Sequence, residues 1–165
     1  MRKSYRPVVK SLLLVSVLVL GGCSQPPQCP TQIESTPSIS AGCLVIENNK
    51  LLVAQTHQGV VSIPGGSSNA GEPSHCAAHR ETWEETGLDV TPTKLVRVFD
   101  NGFHLYRCRW QGVQEQSSAP FVLEIDKAFW IDSSQFSDYT WRFPEQAQWL
   151  LQKLNEDETK KISVD

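Results

Sequence analysis

Three glutamates within a single predicted helix constrain this chain more than any other feature of its sequence. Residues 65–88 read GGSSNAGEPSHCAAHRETWEETGL, and Glu81, Glu84 and Glu85 stand at positions i, i+3 and i+4. With about 100° between successive helical residues, the three carboxylates share one face, where each like-charged pair costs about 0.2–0.5 kcal/mol. They also lie near the carboxyl end of the helix, whose dipole disfavours anions. The cluster therefore predicts a compensating cation, and an all-oxygen ligand set favours Mg²⁺ or Mn²⁺.

Both ends of this helix are marked, so the sequence predicts a helix over residues 74–86. Pro73 suits the first helical position, and Glu72 complements the positive end of the helix dipole. Gly87, followed by an apolar residue, is typical of a left-handed C-cap. Just upstream, Pro64-Gly65-Gly66 allows close approach of the backbone, so we expect a carbonyl or amide of this loop to face a metal or a phosphate.

The spacing of these residues resembles the signature of the Nudix hydrolases, a family that cleaves a diphosphate linked to another moiety, X. The signature runs from Gly66 to Leu88, and its seven fixed positions are all matched, by Gly66, Glu72, Arg80, Glu81, Glu84, Glu85 and Gly87. The chain departs from the pattern at Thr82, where an aliphatic residue is usual. The resemblance implies an α/β (α+β) fold, in which a mixed β-sheet is sandwiched between α-helices.

The resemblance also implies roles for individual residues. The groups that correspond to the family's metal ligands are the main-chain carbonyl of Gly65 and the carboxylates of Glu81, Glu84 and Glu85. Arg80 and Glu72 correspond to positions that steady the glutamates, which agrees with the need for a guanidinium beside the cluster. The implied reaction is metal-assisted attack of water on one phosphorus of a small-molecule diphosphate.

The general base of the reaction varies within the family, so no position of this chain corresponds to it. Glu124 and Asp126 are candidates, because they precede the apolar segment 128–131 in a region that supplies a carboxylate in some relatives. The alternative is that both are solvated loop acids. Glu81 is a further candidate for the base.

Other polar residues are weaker candidates for the site. Arg107 and Arg109 fall on one side of the predicted strand 103–110, where either can grip a phosphate or lie exposed. His75 and His79 are four residues apart, but on the helix they point away from the glutamates, and we expect them to pack or lie at the surface. Segment 141–144 (WRFP) matches only part of a motif of family members that cleave nicotinamide dinucleotides, and it is assigned no role.

Apolar patterning outside the signature predicts further strands and a second helix. The predicted strands are 43–46 and 51–54 around Asn48-Asn49, 60–63, 95–99 and 103–110 around Asn101-Gly102, 121–123 and 128–131. The second helix is predicted over residues 144–154, where Ala147, Leu150, Leu151 and Leu154 recur with helical spacing.

The amino terminus has the layout of a targeting segment. Residues 1–10 contain four cations and no acid, and residues 11–20 (SLLLVSVLVL) are almost wholly apolar. Leu20-Gly21-Gly22-Cys23 resembles the lipobox of bacterial lipoproteins, which implies cleavage before Cys23 and lipidation of that cysteine. Ordinary secretory cleavage and a retained anchor are the alternatives, although a membrane span needs roughly 20 apolar residues. Ser24 follows the cysteine that would be lipidated, and a non-acidic residue at this position resembles lipoproteins that are sorted to the outer membrane. This resemblance predicts that the protein lies on the periplasmic face of a Gram-negative outer membrane.

These features divide the chain into four parts. We expect a signal peptide over residues 1–22, a lipidated and flexible tether over 23–40, the Nudix domain over 41–155 and a charged tail over 156–165. Without the first 22 residues, 11 basic residues face 18 acidic residues, a net charge of −7. This charge disfavours binding to a nucleic acid polymer, and membrane contact is expected through the lipid anchor. The oligomeric state is not indicated.

Four cysteines follow Cys23, namely Cys29, Cys43, Cys76 and Cys108. Their even number suits disulfides in an oxidising compartment, and their spacing fits no zinc site. Four cysteines allow three disulfide pairings, and the sequence does not choose among them. The alternative to disulfides is that Cys43 and Cys108 are free thiols buried in strands.

The sequence thus predicts a metal-dependent hydrolase that cleaves the diphosphate bond of a nucleoside diphosphate linked to X, or of a related compound. Hydrolysis of lipid-linked diphosphates at the membrane is one alternative. A module that binds a diphosphate without turnover is another, although the intact glutamate set argues against it.

Overall fold

The computed structural model describes residues 27–29, 33–35, 37–112 and 122–162. The strands are β1 (Ser40–Leu44), β2 (Ile46–Glu47), β3 (Lys50–Thr56), β4 (Val60–Ser62), β5 (Gly65–Ser67), β6 (Val90–Val98), β7 (Phe103–Trp110), β8 (Ile125–Ile131) and β9 (Thr140–Trp141). The helices are α1 (Ser74–Thr86), α2 (Pro144–Ile162) and a 3₁₀ helix (Ser133–Asp138). The predicted signal peptide and Cys23 lie outside the described residues. Within them, no helix is both long enough and apolar enough to cross a membrane.

The strands form two sheets. The first has the order β5-β1-β7-β6, in which β1 and β7 run parallel and the other neighbours are antiparallel. In the second sheet, β3 pairs with β2, β4 and β8, and β9 joins β4 in parallel. Asn48 and Asn49 link β2 to β3 with positive φ angles of 49° and 60°, as a tight hairpin turn requires.

Side chains alternate along the strands of the first sheet, so both of its sides carry apolar residues. Helix α1 covers one side and helix α2 covers the other. On one side, Cys43 and Tyr106 pack with Ala77 and Ala78 of α1. On the other side, the cluster contains apolar residues of both sheets and of α2, namely Leu44, Leu105, Val53, Ile131, Leu150 and Leu154. This mixed α+β fold with its sheets between helices is the one predicted.

The predicted elements agree with the structure in most places, and the differences have local causes. Helix 74–86 is confirmed, but Pro73 is its N-cap in extended conformation and not its first helical residue. Val122 and Leu123 lie in a turn and not in a strand. Helix α2 continues to Ile162 through most of the expected charged tail, since no glycine or proline interrupts it and Lys153 pairs with Glu156 along it.

Both pairs of cysteines form disulfides, Cys29–Cys76 and Cys43–Cys108. Of the pairings left open, the structure selects this one, and it excludes the alternative of two buried thiols in β1 and β7. The first disulfide involves a residue of the segment 23–40 that was expected to be a tether, parts of which lie outside the described residues. It joins that segment to α1, and the Ser35 hydroxyl lies 2.9 Å from the Ser74 hydroxyl.

Candidate active site

The glutamates of α1 face the loop that leads into β5. The backbone N–H of Gly65 donates a hydrogen bond of 3.0 Å to Oε2 of Glu85. A Cβ on Gly66 would overlap the carboxylate of Glu81, so a larger residue there would displace that carboxylate from its present position. At the far end of α1, Gly87 takes the left-handed conformation, and its N–H donates to the Trp83 carbonyl at 2.8 Å. The predicted loop therefore contacts Glu85 through the Gly65 backbone, and the predicted C-cap ends the helix just beyond the glutamates.

Arg80 ties the acids of the site together. Its Nε and Nη2 donate to the two carboxylate oxygens of Glu72 at 2.9 and 3.0 Å, a bidentate pair. Its Nη1 donates to Glu81 at 2.7 Å and to Glu84 at 3.1 Å. A further bond of 2.8 Å from Nη2 reaches the Ser67 carbonyl. One guanidinium thus fixes three carboxylates relative to each other and to β5.

The electrostatics of the cluster favour a bound cation. Burial raises the pKa of Glu85 to about 8, and nearby negative charges add to the rise. Burial also raises the pKa of Glu81, although Arg80 opposes the change. The pKa of Glu72 is lowered, since its hydrogen bonds with Arg80 and a backbone N–H outweigh the effect of burial. Glu81 and Glu85 are therefore held in surroundings that penalise their charge, which a divalent ion would relieve.

The donor set fits a hard divalent ion. Glu81, Glu84 and Glu85 present carboxylate oxygens on one face of α1, and Gly65 lies beside Glu85. Hard ions such as Mg²⁺ and Mn²⁺ take oxygen ligands of this kind. Only one cation, Arg80, is bonded to these acids in the part of the chain that the structure describes. Arg80 leaves Glu85 free of any ion pair there.

Comparisons with known proteins agree with this geometry. The model of the NUDIX domain family matches residues 36–163. The chain belongs to the Nudix hydrolase family. A MutT-like protein of Streptomyces ambofaciens is 30% identical over 118 residues, which cover 66% of this chain and 74% of that protein.

Solved structures of Nudix proteins share the fold at low sequence identity. An ADP-ribose pyrophosphatase from Streptococcus suis superposes with a TM-score of 0.58 at 21% identity, over 72% of this chain and 92% of that chain. A UDP-X diphosphatase superposes with a TM-score of 0.61 at 19% identity, over 78% of this chain and 68% of that chain. At such identities the likeness concerns the fold.

The two acids considered as the base of this Nudix hydrolase occupy different surroundings. The charge of Glu124 is among those that raise the pKa of Glu85, so Glu124 lies on the side of the glutamate cluster. Asp126 is a residue of β8, and its carboxylate lies 3.5 Å from His57, with both side chains more than half exposed. The charge of Glu124 thus acts on the Nudix glutamates, whereas the contact recorded for Asp126 is with His57.

The two arginines proposed from the strand pattern lie away from the glutamates. Arg107 forms an ion pair of 2.8 Å with Asp157 of α2. Arg109 is exposed two residues further along β7. Because β7 approaches Gly65 through its first residue, Phe103, Arg107 lies about 13 Å further along the strand at about 3.3 Å per residue.

Arg142 is a cation of this region that belongs to segment 141–144, to which the sequence patterns assigned no role. It follows β9, and its positive charge opposes the rise in the pKa of Glu85. The available signal was an arginine between Trp141 and Phe143, just ahead of a proline that begins a helix. That signal is weak because a two-residue strand such as β9 leaves no periodicity in the sequence.

The histidines of α1 lie on its opposite face, as expected from their spacing. His75 and His79 are buried, with 4% and 1% of their surfaces exposed. Nε2 of His79 lies 2.8 Å from the Asp89 carboxylate beyond the C-cap. These residues pack α1 onto the sheet and take no part in the glutamate cluster.

Proposed function

We propose that this Nudix hydrolase cleaves the diphosphate bond of a small molecule in which a nucleoside diphosphate is linked to another moiety, X, using Mg²⁺ or Mn²⁺. The observation that carries the proposal is the cluster of Glu81, Glu84 and Glu85, held by Arg80 while burial keeps the pKa of Glu85 near 8. The carboxylates of such a site repel each other, and binding of a cation lowers this unfavourable electrostatic energy.

Each residue of the cluster has a separable task. Glu81, Glu84 and Glu85 would hold the ion together with the Gly65 carbonyl. When bound, the ion supplies charge neutralisation on the phosphoryl oxygens and acidifies water. Arg80 and Glu72 position the glutamates, because their bidentate pair anchors the guanidinium whose remaining bonds reach Glu81 and Glu84.

Glu124 is the stronger candidate for the general base. It lies in a turn next to β8, is exposed, and acts electrostatically on Glu85. An exposed carboxylate beside the ion site is available to accept a proton from water, whereas Asp126 faces His57. Glu81 is the second candidate, although its bond to Arg80 occupies one carboxylate oxygen.

The similar proteins support a soluble, nucleotide-linked diphosphate as the substrate class. Two of them are described as an ADP-ribose pyrophosphatase and a UDP-X diphosphatase, and both names denote a nucleoside diphosphate joined to a further group. The net charge of −7 beyond residue 22 makes a nucleic acid polymer an unfavourable partner. Lipid-linked diphosphates remain the alternative if the domain acts at a membrane.

We further propose that the protein is a lipoprotein anchored through Cys23 on the extracytoplasmic side, with an outer-membrane location indicated by Ser24. The basic and apolar residues 1–22 support this location. The disulfides Cys29–Cys76 and Cys43–Cys108 support it independently, since such bonds persist in oxidising compartments. Labelling cells with a radioactive fatty acid tests the anchor, and Cys23→Ala must abolish the label.

The activity is tested with a fragment that begins after Cys23, supplied with Mg²⁺ or Mn²⁺. The panel contains nucleoside triphosphates, dinucleotides, nucleotide sugars and isoprenoid diphosphates, and product release is measured. We expect cleavage of a nucleotide-linked diphosphate that Glu84→Gln reduces by on the order of 100-fold or more without loss of folding. Glu47→Gln on β2 is the matched control. Turnover of Glu84→Gln at the wild-type rate would show that the site is wrong, and metal binding without turnover would favour the binding module.

A further inference from the structure

The position of Arg142 follows from the pairing of two short strands. β9 runs parallel to β4, with Trp141 opposite Val61, and the Arg142 N–H donates to the Val61 carbonyl at 2.9 Å. Strand β4 ends at Ser62, and the chain then passes through Pro64 to Gly65. The backbone of Arg142 therefore lies alongside the strand that delivers the Gly65 N–H to Glu85.

The side chain of Arg142 is a cation without a counterion among the described residues. It is exposed, and its guanidinium carbon lies 5.5 Å from the centre of the Phe143 ring. Two other arginines of the domain are engaged: Arg80 is bonded to three carboxylates, and Arg107 is paired with Asp157. Arg142 thus combines proximity to the glutamates with an unengaged charge.

Charge alone does not explain the placement of Arg142. A residue whose purpose was to neutralise Glu85 would form an ion pair with it, as Arg80 does with its neighbours, yet Arg142 forms none in the described part of the chain. Phosphate oxygens match the planar donor fork of a guanidinium, and exposure leaves that fork accessible to a molecule from solution.

We propose that Arg142 binds the diphosphate of the substrate, on the side of the site that β4 and β9 form. This inference rests on the proposed hydrolase activity and adds a substrate-contacting residue to it. Phe143, directly after Arg142, lines a cavity of about 230 Å³ together with Arg97, Phe99, Asn101, Gln146 and the two acids Asp100 and Glu145.

The test compares Arg142→Gln and Arg142→Lys with Arg109→Gln in the full chain, purified in detergent. Arg109 is the matched control, because it is an exposed arginine of the same domain on a strand position far from Gly65. Four quantities are measured: the kcat and the KM for the substrate found in the panel, the affinity for methylenediphosphonate with Mg²⁺, and the affinity for Mn²⁺ alone.

We expect Arg142→Gln to weaken methylenediphosphonate binding by about 10–100-fold and to raise KM or lower kcat accordingly, with Arg142→Lys between it and the wild type. Mn²⁺ affinity should stay the same or rise, because a positive charge has been removed. Arg109→Gln should leave all four quantities within about twofold of the wild type.

Two results would overturn the inference. If Arg142→Gln bound methylenediphosphonate as tightly as the wild type, Arg142 would not contact the diphosphate. If it lost Mn²⁺ affinity in the same proportion, Arg142 would act on the ion site or on folding. Failure of the hydrolase proposal is distinguishable, since the wild-type chain would then turn over no substrate, while the methylenediphosphonate comparison still reports on Arg142.

Discussion

The two faces of α1 differ in what their side chains do. One face carries Glu81, Glu84 and Glu85, whose charges repel each other and whose burial raises the pKa of Glu81 and of Glu85. The opposite face buries small and aromatic side chains against the sheet, and Cys76 is bonded to Cys29. The packed face supplies the stability that lets an unfavourable set of carboxylates stay in place.

The largest expected change in stability comes from removing the disulfide on the packed face of α1. The double variant Cys29→Ser, Cys76→Ser should lose about 2–4 kcal/mol of unfolding free energy, because the unfolded chain gains freedom when a loop of 47 residues is opened. Urea unfolding at fixed pH measures the loss. The kcat at 25 °C should change by less than about twofold, since neither cysteine touches the glutamates.

The buried disulfide provides the control for that experiment. Cys43→Ala, Cys108→Ala opens the link between β1 and β7 and should destabilise the protein to a similar extent. If the Cys29–Cys76 variant kept full stability, the packed face would not depend on this disulfide. If its kcat collapsed while it remained folded, the two faces of α1 would not be independent.

A smaller effect of opposite sign is expected on the glutamate face. In the metal-free protein the folded-state pKa of Glu85, about 8, lies above its ordinary value of 4.5. The folded state therefore binds the proton more tightly, so its contribution to stability is present below pH 4.5 and is lost as pH rises through 8. Glu85→Gln stays neutral and accepts the same N–H bond from Gly65.

We expect Glu85→Gln to be more stable than the wild type by about 1–3 kcal/mol above pH 8 without metal, and to be inactive. Thermal unfolding in EDTA between pH 5 and pH 9 measures the difference, which should vanish near pH 5. Mg²⁺ should stabilise the wild type and not the variant. A wild type that gained stability relative to the variant as pH rose would contradict the assignment.

Sequence patterns predicted the helix that carries the glutamates better than its surroundings, because its signals are local in sequence. The bounds of α1 follow from local signals, Pro73 ahead of it and Gly87 behind it, and both turns built on asparagine were recognisable for the same reason. The choice among disulfide pairings depends on which strands become neighbours, and this is set by contacts distant in sequence. Arg142 reaches the site through a strand of two residues, too short for any period to show.

The smallest expected effect lies at Thr82, where the chain departs from the Nudix pattern. Thr82 is fully buried on the packed face, and its hydroxyl donates a bond of 2.7 Å to the Ala78 carbonyl one turn earlier. Thr82→Val keeps the shape and removes the donor, and the carbonyl keeps its helical bond, so stability should change by less than about 1 kcal/mol, with kcat unchanged. Urea unfolding beside an activity assay measures both. A loss of several kcal/mol would mean that this hydroxyl has replaced the usual aliphatic residue as a structural requirement, and that the packed face depends on polar bonds as the glutamate face does.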